Sequence, residues 1–230
     1  RVATLRGAPV PIGAVHAVLS ARDGPWRLGP VELTASGGRI AGTASLDTAT
    51  EPASAAADLR VTGLPLDRFG RGQLAGRLDA RASLHARGDR LDALLGAVSG
   101  EVSATLSGAS LPAALEAKLG LDGGRWLEAL LSSPARSPIT CSGLQVRFAE
   151  GKGEIRYLAL ETADLVVRGS GALDLPRRAV DLTLTPRRKH ATWLALDRAV
   201  HVAGAVGHVV VSLVDPPQSG DAAQCASVTP

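Results

Sequence analysis

The sequence predicts a mainly β protein with a few short helices, laid out as an elongated, curled antiparallel sheet that forms an apolar groove. Three observations carry this. Runs of residues alternate between apolar and polar with a period of two over much of the chain. Turn residues separate these runs at intervals of about 9–14 residues, the rhythm of a β-meander. Gly 26 and Pro 14 among 230 residues are more than the helices of a bundle tolerate.

The elements follow in order. Val31, Leu33 and Ala35 alternate with Glu32, Thr34 and Ser36, and Ser36-Gly37-Gly38 turns the chain. Ile40, Gly42, Ala44 and Leu46 then share a face, and Ala55, Ala57, Leu59 and Val61 form a third run. The strongest pattern is 73–87, where Leu74, Gly76, Leu78, Ala80, Ala82, Leu84 and Ala86 alternate with mostly polar residues. It reads as one long, one-faced strand. The spacing then predicts short helices. Asp89 caps a segment with Leu91, Leu94, Leu95 and Val98 on one face, ending at Gly100. After a strand at 101–107, Ser110 precedes a helix at 111–118, and Asp122 starts another at 123–132 with Trp126, Leu127, Leu130 and Leu131. Leu144, Val146 and Phe148, then Ile155 and Tyr157, straddle the Glu150–Gly153 turn. Leu165 to Leu175 alternates again, and Val180, Leu182 and Leu184 follow the Pro176-Arg177-Arg178 turn. The uncharged 199–214 stretch ends as a Val-rich strand and is too short and too rich in Gly and His for a membrane helix. An internal repeat links two of these blocks. Gly42-Thr43-Ala44-Ser45-Leu46-Asp47 and Gly169-Ser170-Gly171-Ala172-Leu173-Asp174 both precede a turn and another strand.

Composition removes several function classes. Lys plus Arg exceed Asp plus Glu by only three, and the aromatic fraction is 3%. No basic stripe or stacking platform for nucleic acid is supplied. Neither a CxxC nor a Cys/His cluster exists, so no zinc site and no cofactor is expected. The histidines are scattered, His16 without an acidic neighbour in sequence, and His201 and His208 on opposite faces if one strand continues through both. G-x-S-x-G and the phosphate-loop pattern are absent, with Gly151-Lys152-Gly153 read as a hairpin turn. Asp79, Glu154 and Glu161 read as solvated carboxylates without detectable pairing, and Arg187-Arg188-Lys189-His190 as a solvated turn. The residues therefore predict a protein that is not an enzyme. Cys141 and Cys225 are either a disulfide or two separate buried thiols. A polar tail at 220–230 has little reason to be ordered unless pinned, which favours the disulfide, worth ~4 kcal/mol for a loop of this length, and an oxidising compartment. The chain opens at Arg1 without a signal or anchor segment and reads as an excised or processed piece.

The informative feature is an imbalance. Strands this long make more apolar sheet surface than three short helices can cover. The sheet either closes on a dry core or curls around a trough for apolar guests. Small residues on the inward faces leave room for a guest, and each methylene transferred into such a trough gains ~0.8 kcal/mol. The candidates to line it are Leu74, Leu78, Leu84, Leu165, Val167, Leu173, Leu182 and Leu184.

Two segments also resemble a known family. One is the long strand from Leu74 into Gly88-Asp89-Arg90-Leu91-Asp92-Ala93-Leu94-Leu95, then Gly100-Glu101 and the Leu121-Asp122 helix. The other runs from Ile139-Thr140-Cys141 through Phe148, Gly151, Thr162 and Val167–Leu175 to Asp181–Pro186 and Cys225. In this order they look like the C-terminal region of AsmA-family proteins, over most of residues 27–226. The resemblance implies a single domain over 1–230, with a first meander block at 27–72. The long strand and helices at 73–137, a second block at 138–214 and a tail at 215–230 pinned by Cys225 complete it. It implies that Cys141 and Cys225 pair. It also implies a periplasmic, non-enzymatic segment of a protein held in the Gram-negative inner membrane by an anchor outside this chain. Such a segment would bind phospholipid or another acyl lipid and serve lipid transfer and outer-membrane homeostasis, with envelope proteins as further partners. The chain alone holds too few strands to bridge a periplasm. A second expectation, from the residues alone, is an interaction module that offers an exposed sheet edge to a partner strand.

Overall fold

The computed structural model describes residues 12–21, 25–35, 37–67, 75–112, 136–189 and 198–216. They form one open, curled antiparallel sheet. Its strands are β1 (Ile12–Ala21), β2 (Pro25–Ala35), β3 (Gly38–Asp47), β4 (Ser54–Pro65), β5 (Ala75–Arg87), β6 (Ser99–Pro112), β7 (Arg136–Pro138), β8 (Cys141–Ala149), β9 (Lys152–Glu161), β10 (Leu165–Asp174), β11 (Ala179–Arg188), β12 (Ala199–Ala205) and β13 (His208–Val214). They stand side by side in chain order except for β7, which pairs only with the far end of β6. A meander arises because each strand is one-faced and many of the turns are short, so the next strand finds its partner beside the last. β1 and β13 are the two edges.

The predicted repeat has a physical basis in its aspartates. Asp47 Oδ1 accepts the Ala49 N–H at 2.9 Å, and Asp174 Oδ1 accepts the Arg177 N–H at 2.9 Å. Each side chain closes the turn that follows its strand, as Asx residues do. The Glu150–Gly151 turn is closed by left-handed backbone, with φ of 50° and 72°. It is tied to its surroundings through Gly151 N–H to Val98 O (2.9 Å) and Leu175 N–H to Gly151 O (3.0 Å).

Several expectations change. Only one helix is found among the described residues, α1 (Leu91–Gly96), shorter than the predicted segment, with Leu91 exposed instead of on a buried face. Asp89 does not cap it: its Oδ1 accepts the N–H of buried Ala53 at 2.9 Å, and the N-cap residue is Arg90. Next to it, Gly88 N–H donates to Ala53 O at 2.8 Å. Ser110 and Leu111 continue β6 and do not open a helix. Pairing with β7 and the grip of Arg136 on the Ser110 hydroxyl and carbonyl, both at 2.8 Å, hold them extended. The rest of that predicted helix, all of the 123–132 helix, Leu74 and Cys225 lie outside the described residues. The 199–214 stretch is a hairpin, not one strand, turning at Val206-Gly207. The sheet also includes β1 and the start of β2, which the alternation did not predict.

Candidate functional site

Register places the apolar residues of every strand in continuous rows. Leu19, Leu28, Ala44, Ala57, Leu84, Gly100, Phe148, Gly153, Leu173, Val180, Gly204 and Val209 stand opposite one another in turn, from β1 to β13. A parallel row runs Ala17, Val31, Gly42, Leu59, Ala82, Val102, Val146 and Ile155. Between them lies a polar row on the other face, including Asp58, Ser83, Glu101, Arg147 and Glu154. Directly opposed residues share a face, so period-two alternation in each strand becomes one apolar face for the whole sheet.

That face is not uniformly covered. At its centre Val146 and Phe148 are buried, whereas Leu19 (62% exposed), Leu28 (38%) and Trp26 meet solvent at the β1 end. Val209, Val211 (63%) and Leu213 do so at the β13 end. A contiguous run of exposed large apolar side chains marks a surface that covers something else. Burying one such leucine is worth ~1.5–3 kcal/mol.

The predicted lining residues that the structure describes all fall on this face. Leu84 and Leu173 belong to the first row, Leu78 faces Leu64 and Leu106, Leu182 faces Gly171 and Val202, and Leu184 faces Gly169 and Val200. These five are half-buried. Leu165 (1% exposed) and Val167 (5%) are instead packed inside the protein. Alternation cannot separate these two situations. It fixes which way a side chain points, not what lies over it. Leu19, Trp26 and Leu28, exposed at the β1 edge, were not among the candidates, and the signal that could have found them is the pairing of β1 with β2, which sets Leu19 opposite Leu28.

The opposite face is polar and holds the ion pairs. Lys189 Nζ lies 2.5 Å from Glu161, and Arg156 bonds both oxygens of Glu154 at 2.9 and 3.0 Å. Asp79 Oδ1 accepts the Gly63 N–H at 2.9 Å. The three carboxylates expected to be unpaired therefore all have partners, supplied by residues brought near by the fold or two positions away. Lys189, read as part of a solvated turn, is likewise engaged. His16 stands opposite Glu32 across β1 and β2, and His201 Nε2 is 2.8 Å from Asp181 Oδ1. His201 and His208 lie on two strands, not one. A cavity of about 660 Å³ also opens on this polar face, among β5, β6, β8 and β9. Among the described residues, no three His, Cys, Asp or Glu side chains come together as a metal ligand set, and no helix is long and apolar enough to cross a membrane. Cys141, at the start of β8, is not a free thiol.

Among curated proteins, the AsmA family protein YhjG of Escherichia coli (strain K12) is 21% identical over a stretch that covers 96% of this chain. The chain spans about 37% of that relative's length. No family model and no solved structure matches the chain. The similarity extends over nearly the whole chain and supports the resemblance to AsmA-family proteins read from the sequence.

Proposed function

We propose that this chain is a non-enzymatic lipid-binding segment of a periplasmic protein that takes part in phospholipid transfer and envelope homeostasis. An inner-membrane anchor outside the chain would hold it in place. The observation that carries the reading is the unbroken apolar row from Leu19 to Val209, exposed at both ends. An acyl chain laid along such rows loses water contact methylene by methylene and needs little polar recognition. The similarity to an AsmA family protein supports the same reading and, with it, an envelope setting. In an oxidising compartment Cys141 would pair with Cys225, and thiol titration of the denatured, unreduced protein is expected to find no free thiol.

Native mass spectrometry of the purified chain, with uptake of a fluorescent phospholipid, tests lipid binding. Leu28→Glu and Leu59→Glu, at exposed positions of the rows, are expected to abolish uptake while circular dichroism stays unchanged. A chain that purifies without lipid and takes none up would sink the proposal.

A second reading has one observation of its own. β13 is a sheet edge of seven residues without a formal charge, with Val210, Val211 and Leu213 exposed. Such an edge accepts an added strand. It predicts a crosslinked partner that is lost on Val211→Pro and retained on Leu28→Glu, the reverse of the lipid result.

A further inference from the structure

We propose that the polar face carries a binding site for a small phosphate-bearing anion, on the side of the sheet away from the apolar rows. The site is the cavity of about 660 Å³ lined by Arg81, Arg147, Arg156, Gln145, Ser103 and Glu101. Its volume lies within the ~300–1,000 Å³ range of ligand pockets. Three features of the sheet converge there.

The first is unneutralised positive charge. Arg81 on β5 and Arg147 on β8 take part in no ion pair among the described residues. Arg81 also stands directly opposite Arg60 of β4. Like charges in directly opposed positions of an antiparallel pair repel, and an anion held by Arg81 in the cavity offsets that repulsion. The second is a bulge. Gln145 pairs with Tyr157 while Val146 pairs with Ile155, so Arg156 is the extra residue of β9. Bulges re-aim a side chain, and this one delivers a third guanidinium to the cavity. The third is the neutral lining. Gln145 and Ser103 lie opposite each other in the same row as Arg81, and their amide and hydroxyl can donate hydrogen bonds to an anion.

Two acidic groups limit the site. Arg156 already donates to both oxygens of Glu154, and Arg147 stands between Glu101 and Glu154 in its row, which leaves Arg81 as the principal cation and Arg147 as the second. Glu101, opposite Arg147, subtracts from the field. The arrangement selects phosphate over carboxylate. One arginine fork saturates a carboxylate, whereas a tetrahedral group keeps oxygens for the guanidinium groups of Arg81 and Arg147, which come from separate strands.

The test is titration of the whole chain with glycerol 3-phosphate at low salt, followed by calorimetry and by backbone amide shifts. Saturable binding is expected, with shifts concentrated at Ser83, Ser103 and Gln145. Arg81→Gln and Arg147→Gln should each weaken it about tenfold. Glu101→Gln should tighten it, and Arg39→Gln, whose charge is paired with Glu32 elsewhere, should leave it unchanged. Sedimentation with phosphatidylglycerol vesicles, against phosphatidylcholine vesicles, identifies the source. Retention on the former with the same variant pattern means a lipid headgroup, and binding of the soluble phosphate alone means a free phosphate ester. No saturable binding, shifts scattered over the sheet, or equal loss in Arg39→Gln overturns the proposal.

Discussion

Phe148 and Leu19 belong to the same cross-strand row, yet Phe148 is closed off from solvent and Leu19 is largely open to it. Both side chains are large and apolar and point to the same face. What differs is position: β8 and β9 lie in the middle of the sheet, where Gly153 and the turn at Gly151 bring other backbone close. β1 and β2 lie at an edge. One apolar face thus serves two ends. Its centre holds the fold together, and its margins offer surface to something else. The same residue type stabilises in one place and binds in the other.

Substitutions test that division, the largest effect first. Phe148→Ala is expected to cost about 3–5 kcal/mol, measured by urea denaturation, because the ring fills a dry site. Leu28→Ala in the same row should cost less than about 1 kcal/mol. Equal costs would break the comparison. Gly153→Ala sharpens it from the other side, since a Cβ there would sit 2.6 Å from the Phe148 ring. A loss of about 1–3 kcal/mol is expected, and it should largely vanish when combined with Phe148→Ala. Asp89→Ala should cost about 1–3 kcal/mol by leaving the buried Ala53 N–H without its acceptor, visible as faster amide exchange at Ala53. Asp174→Ala and Asp47→Ala should each cost about 1 kcal/mol, with exchange accelerated at Arg177 and Ala49 respectively. The smallest effect belongs to the ion pairs. Glu161→Gln, next to the partly sheltered Lys189, should cost about 0.5–1 kcal/mol, and Glu32→Gln, in an exposed pair, close to nothing.

Much of this architecture was legible in the sequence where alternation was unbroken. β5 and β10 could be read directly, and the repeat from Gly42 and from Gly169 pointed to turns that Asp47 and Asp174 do close. β1 was hidden because its register shifts twice, between Ile12 and Val15 and between Ala17 and Leu19, which scrambles the period of two. The β12–β13 hairpin was hidden because Val206 occupies its turn, where Asn or Asp would have signalled one. Asp89 resembled a helix cap because an aspartate before an apolar run is the usual sign, and its true partner, Ala53, is far away in sequence. The candidate surface was readable as a face but not as a map of open and closed places. The polar cavity was not readable at all, since the residues that line it come from four strands and meet only through register.

The order of the strands has a consequence for how such a chain changes length. Each strand, the short β7 apart, pairs only with the strands next to it in the path, and neither edge strand pairs with the other. With spacings of about 4.8 Å, the twelve strands of the path span on the order of 50 Å measured across the hydrogen bonds. Removing or inserting one hairpin shortens or lengthens that span by about 10 Å and leaves chain direction and sidedness intact everywhere else. The fold is therefore a ruler graduated in pairs of strands, extendable by tandem duplication without redesign of what is already built.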